Sequence, residues 1–227
     1  MSKKLKFLII LITIVACIGL FCGIRAIRNI IILNKTISKL EENIEKDNYY
    51  LKTTVKIKDE TSSTEVFYKD GIGKNVTTSG IYTWVDGEKA YMIDEENKKA
   101  YRMEISDENS IVLVSNKMFA SLIPGYSKNM LERFTIAGNL ENSIKSEKVN
   151  NEKCYKITVK EGEATKSVWV TKSRAFPIKA EIRFSNGDVF EYEYDLKFFI
   201  TKLKDVELPD LSEYTFYDYE TKNEIVN

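Results

Sequence analysis

Three regimes of hydrophobic spacing follow one another along the chain. From Phe7 to Ile24, eighteen residues run without a charge, FLIILITIVACIGLFCGI. As a helix this run rises ~27 Å, close to the ~30 Å hydrocarbon core of a bilayer. From Ala26 to Lys46 the apolar residues Ile30, Leu33, Ile37, Leu40 and Ile44 recur at alternating steps of three and four, one stripe of a helix. Lys39, Glu41, Glu42 and Lys46 fall off the stripe, and no Gly or Pro lies between Ile24 and Asn48. A helix running on from the apolar segment without a break is therefore expected. The stripe lasts barely two heptads, which favours packing on its own domain over a coiled-coil seam.

From Tyr49 the period switches to two. Leu51, Thr53, Val55 and Ile57 alternate with Lys52, Thr54, Lys56 and Lys58. Short strand candidates follow at 65–69, 74–78, 81–85, 89–94 and 100–105, with Asp70-Gly71 and Asp86-Gly87 as hairpin turns. Residues 107–138 break the alternation. Ile111, Val114, Met118 and Leu122 fit one helix ended by Pro124-Gly125, and Met130, Leu131 and Phe134 fit a second closed by Gly138-Asn139. Alternation resumes at Tyr155, Ile157 and Val159, then at 167–171 with Trp169, and at Ile178, Ala180, Ile182 and Phe184. After Asn186-Gly187 comes the cleanest strand. Phe190, Tyr192, Tyr194, Leu196 and Phe198 share one face; Glu191, Glu193, Asp195 and Lys197 share the other. Such spacing predicts a meander of about ten antiparallel strands, not βαβ units. The tail after Lys204 is acidic, with Leu208-Pro209-Asp210-Leu211 as an extended or turn segment.

Charge and cysteine place this pattern in a compartment. Lys3, Lys4 and Lys6 precede the apolar run; Arg25 and Arg28 follow it. A cleaved signal peptide fits poorly, because the run is long and no small-residue cleavage site follows. A lipoprotein signal with Cys17 as the lipidated residue fits Ile14-Val15-Ala16-Cys17, but Ile18 to Ile24 stays apolar where a polar tether is expected. An uncleaved signal anchor is the preferred reading. The basic tail favours an inside N-terminus, with the remaining domain outside the cytoplasm in a single-pass arrangement. The whole chain has 34 basic and 34 acidic residues; residues 1–28 hold five basic and no acidic ones, leaving 29 against 34. A mildly acidic domain without a basic stripe argues against nucleic acid. Cys154 is the lone cysteine beyond the apolar run, so the domain has no internal disulfide, which suits a bacterial cell surface.

Histidine is absent, which removes Ser-His-Asp and Cys-His catalysis and the histidine-containing zinc sites. There is no CxxC, no Gly-rich phosphate loop and no GxSxG. Asp94-Glu95-Glu96 lacks the ligand spacing of a Ca²⁺ loop and reads as a solvated turn. No enzyme activity and no cofactor or metal are expected.

One arrangement carries a family resemblance, from about Ile37 to Tyr217. An amphipathic helix leads into Asn48-Tyr49-Tyr50; Ile81-Tyr82-Thr83-Trp84-Val85-Asp86-Gly87 is followed by Ala90-Tyr91-Met92-Ile93-Asp94. Val168-Trp169-Val170-Thr171 then precedes Phe176-Pro177-Ile178-Lys179-Ala180, the Asn186-Gly187 hairpin and Val206-Glu207-Leu208-Pro209. This resembles the LolA/LolB-type lipoprotein-carrier fold. The apolar run is expected to form a cytoplasmic tail and transmembrane signal anchor at 1–28, and the resemblance implies that the domain at 29–227 is α+β, built as a curved antiparallel sheet. That sheet is an incomplete barrel whose concave face is covered by helices. The expected parts are an opening helix at about 29–47, strands at 49–105, a helical insertion at 107–138, strands at 142–199 and the acidic tail at 204–227. It also implies an apolar cavity; no ligand-contacting residue carries over from the family, and the chain's own apolar face offers Trp84, Trp169, Ile178, Ile182, Phe190, Tyr192, Tyr194, Met118 and Leu122 as candidate ligand-facing residues. The expected role is non-enzymatic binding of a lipid, or of the acyl chain of a lipoprotein, by a domain held at the membrane. The alternative is an interaction or sensory module on the same scaffold, its concave side filled, that meets an envelope protein. A soluble shuttle does not fit a chain that keeps its anchor.

Overall fold

The computed structural model describes residues 3–44, 48–87, 89–104 and 122–225. Helix α1 (Lys3–Ile44) is one element of 42 residues, so the apolar run and the amphipathic stripe are joined without a break. Its two halves meet different surroundings. Leu20 and Phe21 are each 70% exposed, whereas Leu33 and Leu40 are 0% exposed and Ile37 1%. The first half is long and apolar enough to cross a membrane. The second half is core.

Six strands follow: β1 (Asn48–Ile57), β2 (Glu60–Lys69), β3 (Ile72–Thr77), β4 (Ile81–Val85), β5 (Ala90–Asp94) and β6 (Lys99–Met103). After a short helix, α2 (Met130–Gly138), come β7 (Ser143–Val149), β8 (Glu152–Glu161), β9 (Ala164–Thr171), β10 (Pro177–Phe184) and β11 (Val189–Phe198). A single 3₁₀ turn (Leu203–Asp205) precedes β12 (Thr215–Asp218). All twelve strands belong to one open sheet, ordered β12-β6-β5-β4-β3-β2-β1-β11-β10-β9-β8-β7. Two meanders are thus stitched together where β1 pairs with β11, Thr53 opposite Tyr194.

The count exceeds the expected ten by β7 and β12, and these are the two edges. β7 reads SIKSEKV and buries one residue, Ile144, so it carries almost no alternation. A charged edge strand of this kind resists pairing with another chain. β12 is four residues long and pairs parallel to β6, so the sheet is mixed, not wholly antiparallel. Its existence depends on the tail returning to the far edge, which local pattern does not encode. Asp70 and Gly71 form the two-residue hairpin expected of them, both at positive φ (51° and 87°). Asn186 and Gly187 sit instead in a four-residue loop, closed by the Phe184 N–H donating to the Asp188 carbonyl at 2.9 Å.

Directly paired residues share a face of a sheet, so register assigns every side chain. Leu51, Val66, Ala180 and Tyr194 lie on one face, with Ile157 and Val168, and pack under Leu33, Ile37 and Leu40 of α1. Tyr82, Trp84, Ile93 and Ala100 lie on the opposite face and form a second core with Tyr214, Leu208 and Leu211 from the tail. The Trp84 indole Nε1–H donates to the Val206 carbonyl at 2.7 Å and ties that tail down.

Helix α2 opens with a capping box: Asn129 accepts from the Glu132 N–H, and the Glu132 carboxylate accepts from the Asn129 N–H. It lies along α1. The Asn29 amide donates to the Ala137 carbonyl at 3.2 Å, and the Arg25 guanidinium donates to the carbonyls of Leu140 and Asn142. These donors satisfy carbonyls at and just past the helix C-terminus that have no intrahelical partner. Met130, Leu131 and Phe134, the residues that announced this helix, are exposed. Its buried side is Ala137. The first helix expected in the insertion, at Ile111, Val114 and Met118, lies outside the described residues.

Because Leu33 is fully enclosed, Leu33→Ala should cost about 2–5 kcal/mol of stability. Leu20→Ala on the exposed half of the same helix should change stability by less than about 0.5 kcal/mol. Chemical denaturation of the full chain in detergent measures both; equal effects would remove α1 from the core.

Candidate functional site

The face under α1 continues past the helix into a cavity of about 420 Å³. Its floor comes from β1 and β11: Leu51, Thr53, Val55, Tyr192 and Tyr194. One wall is Thr64, Val66 and Asn75 from β2 and β3; the other is Lys166, Ala180 and Ile182 from β9 and β10; Leu122 completes it. Strands β3 and β9 stand five spacings apart in the sheet order, ~24 Å if the sheet were flat. That both line one hollow of this size shows how strongly the sheet bends. Leu51, Val66, Ala180 and Tyr194 belong to the core and to the cavity alike, so among the described residues the cavity is an open continuation of the core.

The cavity is apolar with a few polar atoms. Tyr192 and Tyr194 stack nearly parallel, 5° between planes and 6.5 Å between centroids. Burial pushes the Tyr194 hydroxyl pKa well above the usual phenol range, reinforced by Tyr192, so it stays neutral. Burial pulls the Lys166 ammonium below the usual lysine range, partly opposed by Glu161. The Asn75 Oδ1 is buried and accepts no hydrogen bond among the described residues.

Of the residues expected from the sequence, Leu122, Ile182, Tyr192 and Tyr194 line the cavity. Phe190 lies on the same face, paired with Ile182, and its ring meets Phe184 edge-on at 5.4 Å nearer the hairpin. Ile178 sits at the register shift between Pro177 and Lys179 and lines a different, polar hollow of about 460 Å³ with Lys52, Glu193 and Asp195. Trp169 is on the opposite face: its Nε1–H donates to the Glu147 carboxylate at 2.8 Å, and Lys156 stands 4.4 Å above the ring. Trp84 belongs to the second core. Met118 lies outside the described residues. Cys17 is exposed on the apolar half of α1.

Alternation pairs Trp169 with Val168 and Trp84 with Val85 but does not say which face is covered. In this sheet the cover changes sides, and both tryptophans fall on the face away from the cavity. Lys166 and Asn75 had no place among the expected residues. Lys166 did leave a signal, a lone charge in the row Ala164, Val168, Val170.

No protein-family profile matches the chain, and no curated protein matches it. Solved structures do. One is an uncharacterized conserved protein from Thermus thermophilus, 10% identical with a TM-score of 0.48, covering 81% of this chain and 98% of that one. Another is a LolA superfamily protein from Nitrosomonas europaea, 13% identical with a TM-score of 0.31, covering 77% and 97%. A third is the MucA/MucB complex of Pseudomonas aeruginosa, 9% identical with a TM-score of 0.42, covering 79% of this chain and 62% of that one.

An acceptor buried without a donor costs about 1–3 kcal/mol. Asn75→Leu, which keeps the volume and removes that acceptor, should therefore raise the unfolding midpoint of the purified chain. A fall of similar size in calorimetry would mean that Asn75 is satisfied in the folded protein.

Proposed function

We propose that the chain is a membrane-tethered domain, held outside the cytoplasm, that binds an acyl chain of a lipid or lipoprotein without catalysing a reaction on it. The observation that carries this reading is the apolar cavity continuous with the core beneath α1. Its volume of about 420 Å³ falls in the range of small-ligand sites, ~300–1,000 Å³. Affinity there would come from area: each methylene removed from water contributes ~0.8 kcal/mol. The lining has the composition such a site needs, aliphatic and aromatic walls with a few polar atoms to orient one end.

The anchor supports the same reading. α1 has an exposed apolar half of membrane-crossing length and a packed half that covers the cavity face. From Ile24 to Leu40 the helix rises ~24 Å. A binding site joined rigidly to a bilayer at that distance suits a domain that receives or holds lipid at the membrane and does not leave it.

Native mass spectrometry of the detergent-solubilised full chain should find one retained acyl ligand, or one acquired on exposure to single-chain lipids. Val55→Trp, which fills the cavity from its floor, should abolish retention with the unfolding midpoint changed by only a few degrees. A wild-type chain that never holds an acyl ligand at saturating exposure ends this reading.

A further inference from the structure

We propose that the hollow beside α1, where its exposed apolar half ends, binds an anionic phospholipid of the bilayer, with Arg28 and Lys145 holding the phosphate. This rests on the reading that the first half of α1 crosses a membrane, and not on the acyl cavity. The hollow, about 560 Å³, lies between α1 and the turn that leads from α2 into β7. Phe21, Ile24, Arg25 and Arg28 line it from α1. Their spacing puts them on one helical face, two apolar residues followed by two cations. Leu140 and Lys145 repeat that order on the other wall. From Ile24 to Arg28 the helix rises ~6 Å. One headgroup layer of a bilayer is ~5–8 Å thick. With Ile24 at the edge of the hydrocarbon, Arg28 therefore stands at the depth of the phosphates.

The charges in the hollow are unequal. Arg28 and Lys145 are exposed, and neither makes an ion pair among the described residues. Glu141, the acidic residue of the lining, is answered by Lys160 at 3.0 Å. Arg25 adds a third positive charge while it holds the turn through the carbonyls of Leu140 and Asn142. Other bonds fix the same turn. Asn139 Oδ1 accepts from the Glu141 N–H at 2.9 Å, Asn142 Nδ2 donates to the Ile136 carbonyl at 2.9 Å, and Asn142 Oδ1 accepts from the Lys160 backbone N–H at 3.0 Å. Leu140 is thereby held outward, exposed like Phe21 and Ile24. Apolar side chains with unpaired cations beyond them complement a phospholipid, whose acyl chains lie below its phosphate. A zwitterionic head would bring its own ammonium toward three cations, so a net negative head is favoured. A soluble phosphate would meet the cations but leave Phe21, Ile24 and Leu140 uncovered.

Titration of the full chain in detergent with phosphatidylglycerol and phosphatidylcholine of equal acyl chains, read by native mass spectrometry, tests this. Both wild type and Val55→Trp, whose acyl cavity is filled, should bind phosphatidylglycerol at least about tenfold more tightly than phosphatidylcholine. Arg28→Gln combined with Lys145→Gln should bring that ratio to about one, and Arg28→Lys combined with Lys145→Arg should keep it. Equal affinities in wild type, or an unchanged ratio in the double Gln variant, overturn the site and leave the acyl cavity standing. Phosphatidylglycerol that binds wild type but not folded Val55→Trp lies in the cavity, which overturns the site and keeps the proposed function. Displacement of phosphatidylglycerol by glycerol 3-phosphate in about tenfold excess overturns the choice of a bilayer lipid. A chain that alkaline carbonate washes from membranes overturns the anchor and this site together.

Discussion

Three side chains on one helix decide the shape of this protein. Leu33, Ile37 and Leu40 are fully enclosed against the sheet face of β1, β2 and β8–β11. A twelve-stranded open sheet has a large apolar face to cover, and here the cover is a helix about 10–12 Å across with its side chains. A bent sheet wraps more of its surface around such a cylinder than a flat one could. The helix does not reach the whole groove, so core grades into cavity, with Leu51, Val66, Ala180 and Tyr194 serving both.

The sheet also buries its two faces in different places. Near β1 and β11 the covered face is the one under α1; from β3 to β6 the second core lies on the opposite face, under residues 206–216. This requires the tail to cross beneath the sheet and finish as β12 on β6, and the Trp84–Val206 hydrogen bond fixes that path. The outer strands are the polar or short ones, which leaves the sheet open without presenting a long apolar edge.

Continuity of α1 couples the domain to whatever surrounds its first half. No flexible linker intervenes between the exposed apolar segment and the packed stripe, and α2 braces the junction through Arg25, Asn29 and Asn34. The orientation of the domain relative to the axis of the exposed apolar segment is therefore built into a helix and not left to a tether.

Much of this was written in local pattern. The apolar run, the three-four stripe, the alternation of β11 and the Asp70-Gly71 turn each follow from a periodicity or a φ requirement that a few neighbouring residues carry alone. Tyr192, Tyr194, Ile182 and Leu122, which lie in such rows, line the cavity. Other features depend on partners far away in the chain. Strand alternation divides residues into two faces but does not name the covered one, and register puts Trp84 and Trp169 on the face away from the cavity. β7 and β12 are strands because of what they lie beside. Lys166 and Asn75 acquire meaning only when the bend brings β3 and β9 around one space, since curvature belongs to the packed sheet and to no segment of it.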